Sequence, residues 1–106
     1  MERNMFASFS LGQVVHHRDL DYRGVIVDVD PIFLGDGETA AQAVSEDEPL
    51  DRPWYHVLVN GREHVTYVSE SSLSADDSGE PVKHPSLNLF FAGFEGDHYV
   101  PRRLAN

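Results

Sequence analysis

The chain contains no cysteine. That excludes a disulfide framework, a thiolate metal site and a cysteine nucleophile, and it fits a reducing compartment. No stretch approaches the about 20 consecutive apolar residues of a membrane-spanning helix. The opening residues, MERNMFASFSLG, lack the roughly 7–15-residue apolar core of a secretory signal. The expectation is a soluble, cytoplasmic protein with no membrane partner. A clustered basic face is missing too: eight Lys and Arg stand against 18 Asp and Glu, for a net charge of −10. Nucleic-acid binders usually display such a face, because phosphate neutralisation supplies much of their affinity. There is no serine in a G-x-S-x-G setting and no glycine-rich phosphate loop. The six histidines show no H-x-H or H-x-x-x-H spacing.

What is present fits one domain. The length is 106 residues and 41% of them are hydrophobic, enough for one small core. The charge is unevenly placed. Asp36 to Asp51 carries six acids and no Lys or Arg, and Ser69 to Glu80 carries four acids and no Lys or Arg. The remainder balances eight acids with eight bases, so the body is neutral and carries two acidic segments, read as solvated loops.

Short β-strands dominate the pattern. Gly12 to His17 is one candidate. Val25, Val27 and Val29 alternate with Ile26, Asp28 and Asp30 in a second, which Pro31 should end. Gly24 suits a turn or bulge at its start, where a positive φ is needed. Residues 32–53 form a long excursion with a short helix over 39–48, capped by Thr39. Trp54 to Val59 is a third strand, with Trp54, His56 and Leu58 on one face and Tyr55, Val57 and Val59 on the other. Asn60-Gly61 signals a hairpin, with Arg62-Glu63 lengthening its loop before a fourth strand at about His64 to Val68. Ser69 to Glu80 reads as a polar loop anchored by Leu73; a helix or turn over Leu87–Phe91 and a strand near His98–Val100 follow. Four or five short strands with these turns predict an all-β, small, strongly bent barrel.

The functional residues are harder to single out. His16 and His17 are adjacent on a strand and point to opposite faces, so one metal cannot take both. Asp28 and Asp30 share a face, and His17 across from them would complete a His/Asp site, but no ligand spacing supports it. His56 reads as a partly buried ring bonded to backbone or to an acid. The barrel is too small to frame a deep pocket beside its core. The expectation is therefore no enzyme activity, no metal and no cofactor.

Five blocks carry a family resemblance: Phe9-x-x-Gly12-Gln13-x-Val15-x-His17, Tyr22-x-Gly24-Val25-Ile26, Asp28-x-Asp30-Pro31, Pro53-Trp54-Tyr55-His56-Val57, and Thr66-Tyr67-Val68-x-Glu70-x-x-Leu73. Over about residues 9–73 the chain resembles the heat shock protein HspQ family, also called YccV-like or hemimethylated-DNA-binding. The resemblance implies an SH3-like barrel and no catalysis. It implies either a stress-response role, promoting degradation of denatured or regulatory proteins by a bacterial protease, or binding of hemimethylated DNA. The charge balance favours the first, with a protease or its substrate proteins as partners and DNA as the alternative. Exposed sheet edges also predict a homo-oligomer. Candidate partner or DNA contacts are His17, Arg18, Tyr22, Arg23, Arg62 and Arg102, with Arg103 beside the last.

Overall fold

A computed structural model describes residues 7–35 and 50–102. The expected helix over 39–48, most of the first acidic segment and Arg103 lie outside the described residues. Among the described residues there are seven strands: β1 (Val14–His17), β2 (Arg23–Asp30), β3 (Trp54–Val59), β4 (Val65–Ser69), β5 (Leu73–Ala75), β6 (Phe91–Glu95) and β7 (His98–Pro101). The first five form one antiparallel sheet in the order β4-β3-β2-β1-β5, and β6-β7 is a separate hairpin. The fold is all-β, as the alternation predicts.

Two strands lie where none was expected. Ser69 to Glu80 is not simply a polar loop. Ser69 caps a one-turn 3-10 helix, Glu70–Ser72, by accepting from the Ser71 N–H, and β5 follows at once. Polar residues here conceal a strand because β5 is a short edge strand with one buried side chain, Leu73. β6 is hidden for a similar reason: only Phe91 in it is buried, beside a bulge at Ala92 and Gly93.

The 3-10 turn forces curvature. β4 and β5 are the opposite edges of the sheet, yet only Glu70–Ser72 separates them in the chain. Strands about 4.8 Å apart would put the edges of a flat five-stranded sheet roughly 19 Å apart. Three 3-10 residues rise only about 6 Å. The sheet must curl on itself, although no ladder joins β4 to β5 among the described residues.

Curling gives the sheet two covered faces. β3 is buried on both, apart from a half-buried His56. On one face Val15, Ile26, Tyr55, Val57, Val68 and Leu73 pack together, with Ala7, Phe9, Tyr22 and Val29 around them. On the other, Val14, Val25 and Leu58 meet Val82, Phe91 and Tyr99. The C-terminal hairpin covers that second face. It is fastened by the Tyr99 N–H donating to the Gly12 carbonyl at 2.8 Å. Gly12 has φ +87°, and a Cβ there would stand 2.0 Å from the Tyr99 oxygen.

A β-bulge breaks the simple alternation of β2. Ile26 pairs with Val57, but the next recorded partners are Asp28 and His56, so Val27 is the extra residue. Val27 consequently stays with the Val25 cluster, while Val29 joins the Ile26 cluster. Gly24 also differs from expectation. Its φ is not positive; it is needed because a Cβ would come within 2.4 Å of Val57 Cγ1 and 2.6 Å of the Leu58 oxygen. The β3–β4 loop is longer than two residues, as expected, with the Val59 N–H donating to the His64 carbonyl and Gly61 at φ +79°.

Candidate functional site

The six residues singled out from the sequence do not converge. His17 and Tyr22 organise the β1–β2 turn. The buried His17 ring accepts at Nδ1 from the N–H groups of Asp19 (3.2 Å) and Leu20 (3.0 Å), so that nitrogen carries no proton. Its ring packs on Tyr22 at 5.1 Å. The Tyr22 hydroxyl lies 2.7 Å from Thr66 Oγ1, and burial pushes its pKa up.

Three of the arginines are engaged with their own chain. Arg18 Nε donates to the Leu73 carbonyl at 3.2 Å. Arg23 pairs with Asp76 at 3.1 Å and donates to the Glu80 carbonyl at 2.5 Å. Burial alone would raise the Asp76 pKa. Hydrogen bonds from Ser78 and Arg23, with the guanidinium charge, outweigh that and hold it below its ordinary value. Arg102 Nε donates to the Asn88 carbonyl at 2.6 Å, within the one-turn helix Leu87–Phe90.

Arg62 is different. It sits in the exposed β3–β4 turn and lines an open cleft with Gly61, Glu63, His64, Lys83, His84 and Pro85. Asn60 builds this cleft: its side-chain oxygen accepts from the Lys83 N–H at 2.8 Å, and Gly61 N–H donates to the Lys83 carbonyl at 2.8 Å. His84 Nε2 donates to the His64 carbonyl at 3.0 Å. Two cations, two imidazoles and the Glu63 carboxylate thus share one concave surface, which is basic by a single charge. Lys83 is more than 20 residues from Arg62 in sequence, and nothing local to either signals the meeting.

A second assembly forms at the bulge. Asp28 is directly opposite His56, and the ligand atoms of Asp28, Asp30 and His56 all lie within 4.8 Å of one another. The expected partner of the two aspartates was His17; the structure supplies His56 instead. His17 lies on β1, paired with Leu73, and its Nδ1 is occupied by backbone donors. Asp30 Oδ2 accepts from the Tyr67 hydroxyl (2.7 Å) and lies 3.2 Å from His56 Nε2. Burial, then this donation to Asp30, pushes the Tyr67 pKa up to about 12. The rings of His56, Tyr67, Trp54 and Phe33 meet in succession, the first three tilted on one another at 4.6 and 5.3 Å and Phe33 edge-on to Trp54 at 4.9 Å. His56 is half-buried as expected, and of the two expected kinds of partner, backbone or an acid, the structure shows an acid, Asp30.

These features define a small all-β domain with a basic cleft at one turn and an acid–imidazole corner at a bulge; no helix among the described residues is long and apolar enough to cross a membrane. Residues 7–98 match the sequence model of the family described as hemimethylated DNA-binding protein YccV like. The chain belongs to this HspQ/YccV-like family, and the match reaches well beyond the signature blocks into the C-terminal hairpin.

Proposed function

We propose that this chain is a non-enzymatic stress-response protein of the bacterial cytoplasm that promotes proteolysis of denatured or regulatory proteins, acting as an adaptor or modulator of a protease. The observation that carries the proposal is the use of its arginines. Arg18, Arg23 and Arg102 spend hydrogen-bonding capacity on carbonyls and a carboxylate of the chain itself. Affinity for a phosphate backbone grows with the number of cations free to neutralise it, and this domain offers few against a net charge of −10. A protein partner places no such demand. Exposed apolar side chains such as Leu20, Leu34, Val65 and Leu89 offer it contact area. In this reading the curled sheet, with a 3-10 turn linking its edges, is an SH3-like barrel, and its exposed edges favour a homo-oligomer.

DNA binding is the second reading. The family description names it, and the cleft lined by Arg62, Lys83, His64 and His84, with Glu63 among them, offers cations to a phosphate. Two assays separate the readings. One follows the degradation of an unfolded model substrate by ATP-dependent bacterial proteases with and without the protein. The other follows fluorescence anisotropy of hemimethylated, fully methylated and unmethylated duplexes near about 0.15 M salt. Accelerated degradation with weak, methylation-blind DNA binding supports the adaptor. Submicromolar preference for the hemimethylated duplex, lost in Arg62→Ala and Lys83→Ala, selects DNA instead.

A further inference from the structure

The corner at the bulge has a chemistry that neither reading uses. Two carboxylates and one imidazole converge there from two adjacent strands. The convergence depends on one residue. With β2 unbulged, Val27 would face His56, and Asp28 would face Tyr55 on the opposite, buried side of the sheet. The extra residue at Val27 puts Asp28 opposite His56 instead. Bulges commonly re-aim side chains in this way beside functional sites.

Asp30 and His56 are also held in place, and Asp28 Oδ1 accepts from the Val29 N–H at 2.9 Å. Among the described residues, both contacts to Asp30 fall on Oδ2, from Tyr67 and His56. Tyr67 in turn accepts from the Leu34 N–H at 3.0 Å. The His56 ring rests on Tyr67. Such outer partners orient ligands and are a regular part of metal sites. The corner remains open to solvent. The His56 side chain is 36% exposed and Asp30 18%, and Asp28 is exposed. An ion here would therefore keep water in its remaining positions.

We propose that Asp28, Asp30 and His56 form a binding site for a first-row divalent cation such as Mn2+, Co2+ or Zn2+. The donor set decides the class. One imidazole nitrogen with two carboxylate oxygens is a borderline set; all-oxygen sites suit Mg2+ and Ca2+, and thiolate or thioether sites suit Cu+. An ion bound here takes the place of the 3.2 Å contact between His56 Nε2 and Asp30 Oδ2. The ion also neutralises the two like charges that share this face of β2. Its structural effect is to pin β2 to β3 where their ladder is interrupted.

The test uses the full chain, freed of metal with a chelator and titrated with Mn2+, Co2+ and Zn2+ in turn. Binding is read by calorimetry and by fluorescence of Trp54, the one tryptophan, which stacks on Tyr67 two rings from the ion. The expected result is saturable binding of one ion per chain, with paramagnetic Co2+ or Mn2+ broadening the His56 and Tyr67 resonances first. Asp28→Asn and His56→Gln should each weaken binding at least about tenfold, the lower bound for disturbing even an outer-sphere partner. They should also abolish the rise in melting temperature that the ion gives the unaltered protein. His16→Gln, which removes the exposed His16–Asp21 pair (2.6 Å), should change nothing. Asp28→Asn is isosteric at an exposed position, so it keeps the test valid if His56→Gln folds poorly. Absence of saturable binding up to millimolar ion overturns the proposal. So does affinity unmoved by Asp28→Asn, or weakened equally by His16→Gln.

Discussion

The two faces of the central sheet are closed by different means. Every buried member of the first cluster (Val15, Ile26, Tyr55, Val57, Val68 and Leu73) comes from the curled sheet itself, within the signature blocks. The second cluster takes only Val14, Val25 and Leu58 from the sheet and borrows Val82, Phe91 and Tyr99 from the C-terminal third. Each core is fastened by a tyrosine hydroxyl. Tyr55 donates to Glu70 Oε1 at 2.6 Å and accepts from the Phe9 N–H at 3.2 Å. Tyr99 accepts from the Val82 N–H at 2.8 Å and donates to the Val82 carbonyl at 3.1 Å. One face is thus locked through a carboxylate at the sheet's own turn, the other through neutral backbone of a distant segment. The first core draws no buried side chain from the C-terminal third; the second depends on three.

The largest expected effect strikes the strand that serves both faces. Trp54 begins β3 and is 4% exposed. Trp54→Ala should cost about 3–5 kcal/mol, a large part of the stability of a domain this size. Denaturant unfolding measures it. A variant that melts like the unaltered protein but loses its partner would make Trp54 a surface contact and remove it from the packing described above.

Gly12→Ala should separate the two faces. The new Cβ collides with the Tyr99 carbonyl, and the backbone there is left-handed. The left-handed conformation alone costs of order 1–3 kcal/mol in a non-glycine residue, and the collision adds to it. The damage falls on the attachment of the hairpin. Amide exchange should therefore accelerate in β6 and β7 while Tyr55, Val57 and Val68 keep their protection. Uniform acceleration would show that the faces unfold as one unit.

The tyrosine locks allow a finer comparison. Tyr55→Phe and Tyr99→Phe should each cost about 1–3 kcal/mol, because each strands buried or half-buried polar partners. Tyr55→Phe should also change the alkaline stability profile, from about pH 10 upward. Burial, reinforced by the bond to Glu70, raises the Tyr55 pKa well above 10. The folded state therefore keeps this proton after the unfolded chain has lost it. That contribution is fully present below about pH 10 and declines as pH rises beyond it. Tyr55→Phe removes its share of the alkaline slope. Tyr22 and Tyr67, also raised, keep the remainder, so the slope is reduced and not lost.

How much of this could be read from the chain follows the same division. β1 to β4 announce themselves because β-branched and aromatic residues alternate or run together between turn formers, and β2 stops at Asp30, directly before Pro31. The faces of β3 were legible from alternation alone. β2 was not, since one bulged residue exchanges the sides of Val29, Asp28 and Asp30, and a bulge without glycine leaves no mark in the sequence. Strict alternation therefore puts the aspartates on the side of His17, and the bulge turns them to His56. β5 and β6 are short edges with polar or small residues, and their strand character comes from neighbours distant in sequence. The basic cleft combines residues 61–64 with 83–85 through Asn60, a contact of tertiary origin that no local pattern encodes.

The smallest expected effect concerns the ion pair that ties β2 to the segment after β5. Arg23 and Asp76 are 22% and 10% exposed in their side chains, so the pair is neither fully solvated nor fully dry. The backbone of Asp76 is already held by its N–H bond to the Val14 carbonyl at 3.1 Å. Losing the charge should therefore cost no more than about 1 kcal/mol, near the upper end for exposed pairs. Its pH dependence gives the sign away. The folded-state pKa of Asp76 lies below its ordinary value, so the contribution is complete above the ordinary carboxylate range and disappears as pH falls through the lowered value. Urea midpoints of the unaltered protein and of Asp76→Asn should differ near neutral pH and draw together as pH falls below the ordinary aspartate value of about 3.9. A gap that persists unchanged in acid would mean that the Ser78 and Arg23 hydrogen bonds act through geometry that asparagine cannot copy, and that the charge itself contributes nothing.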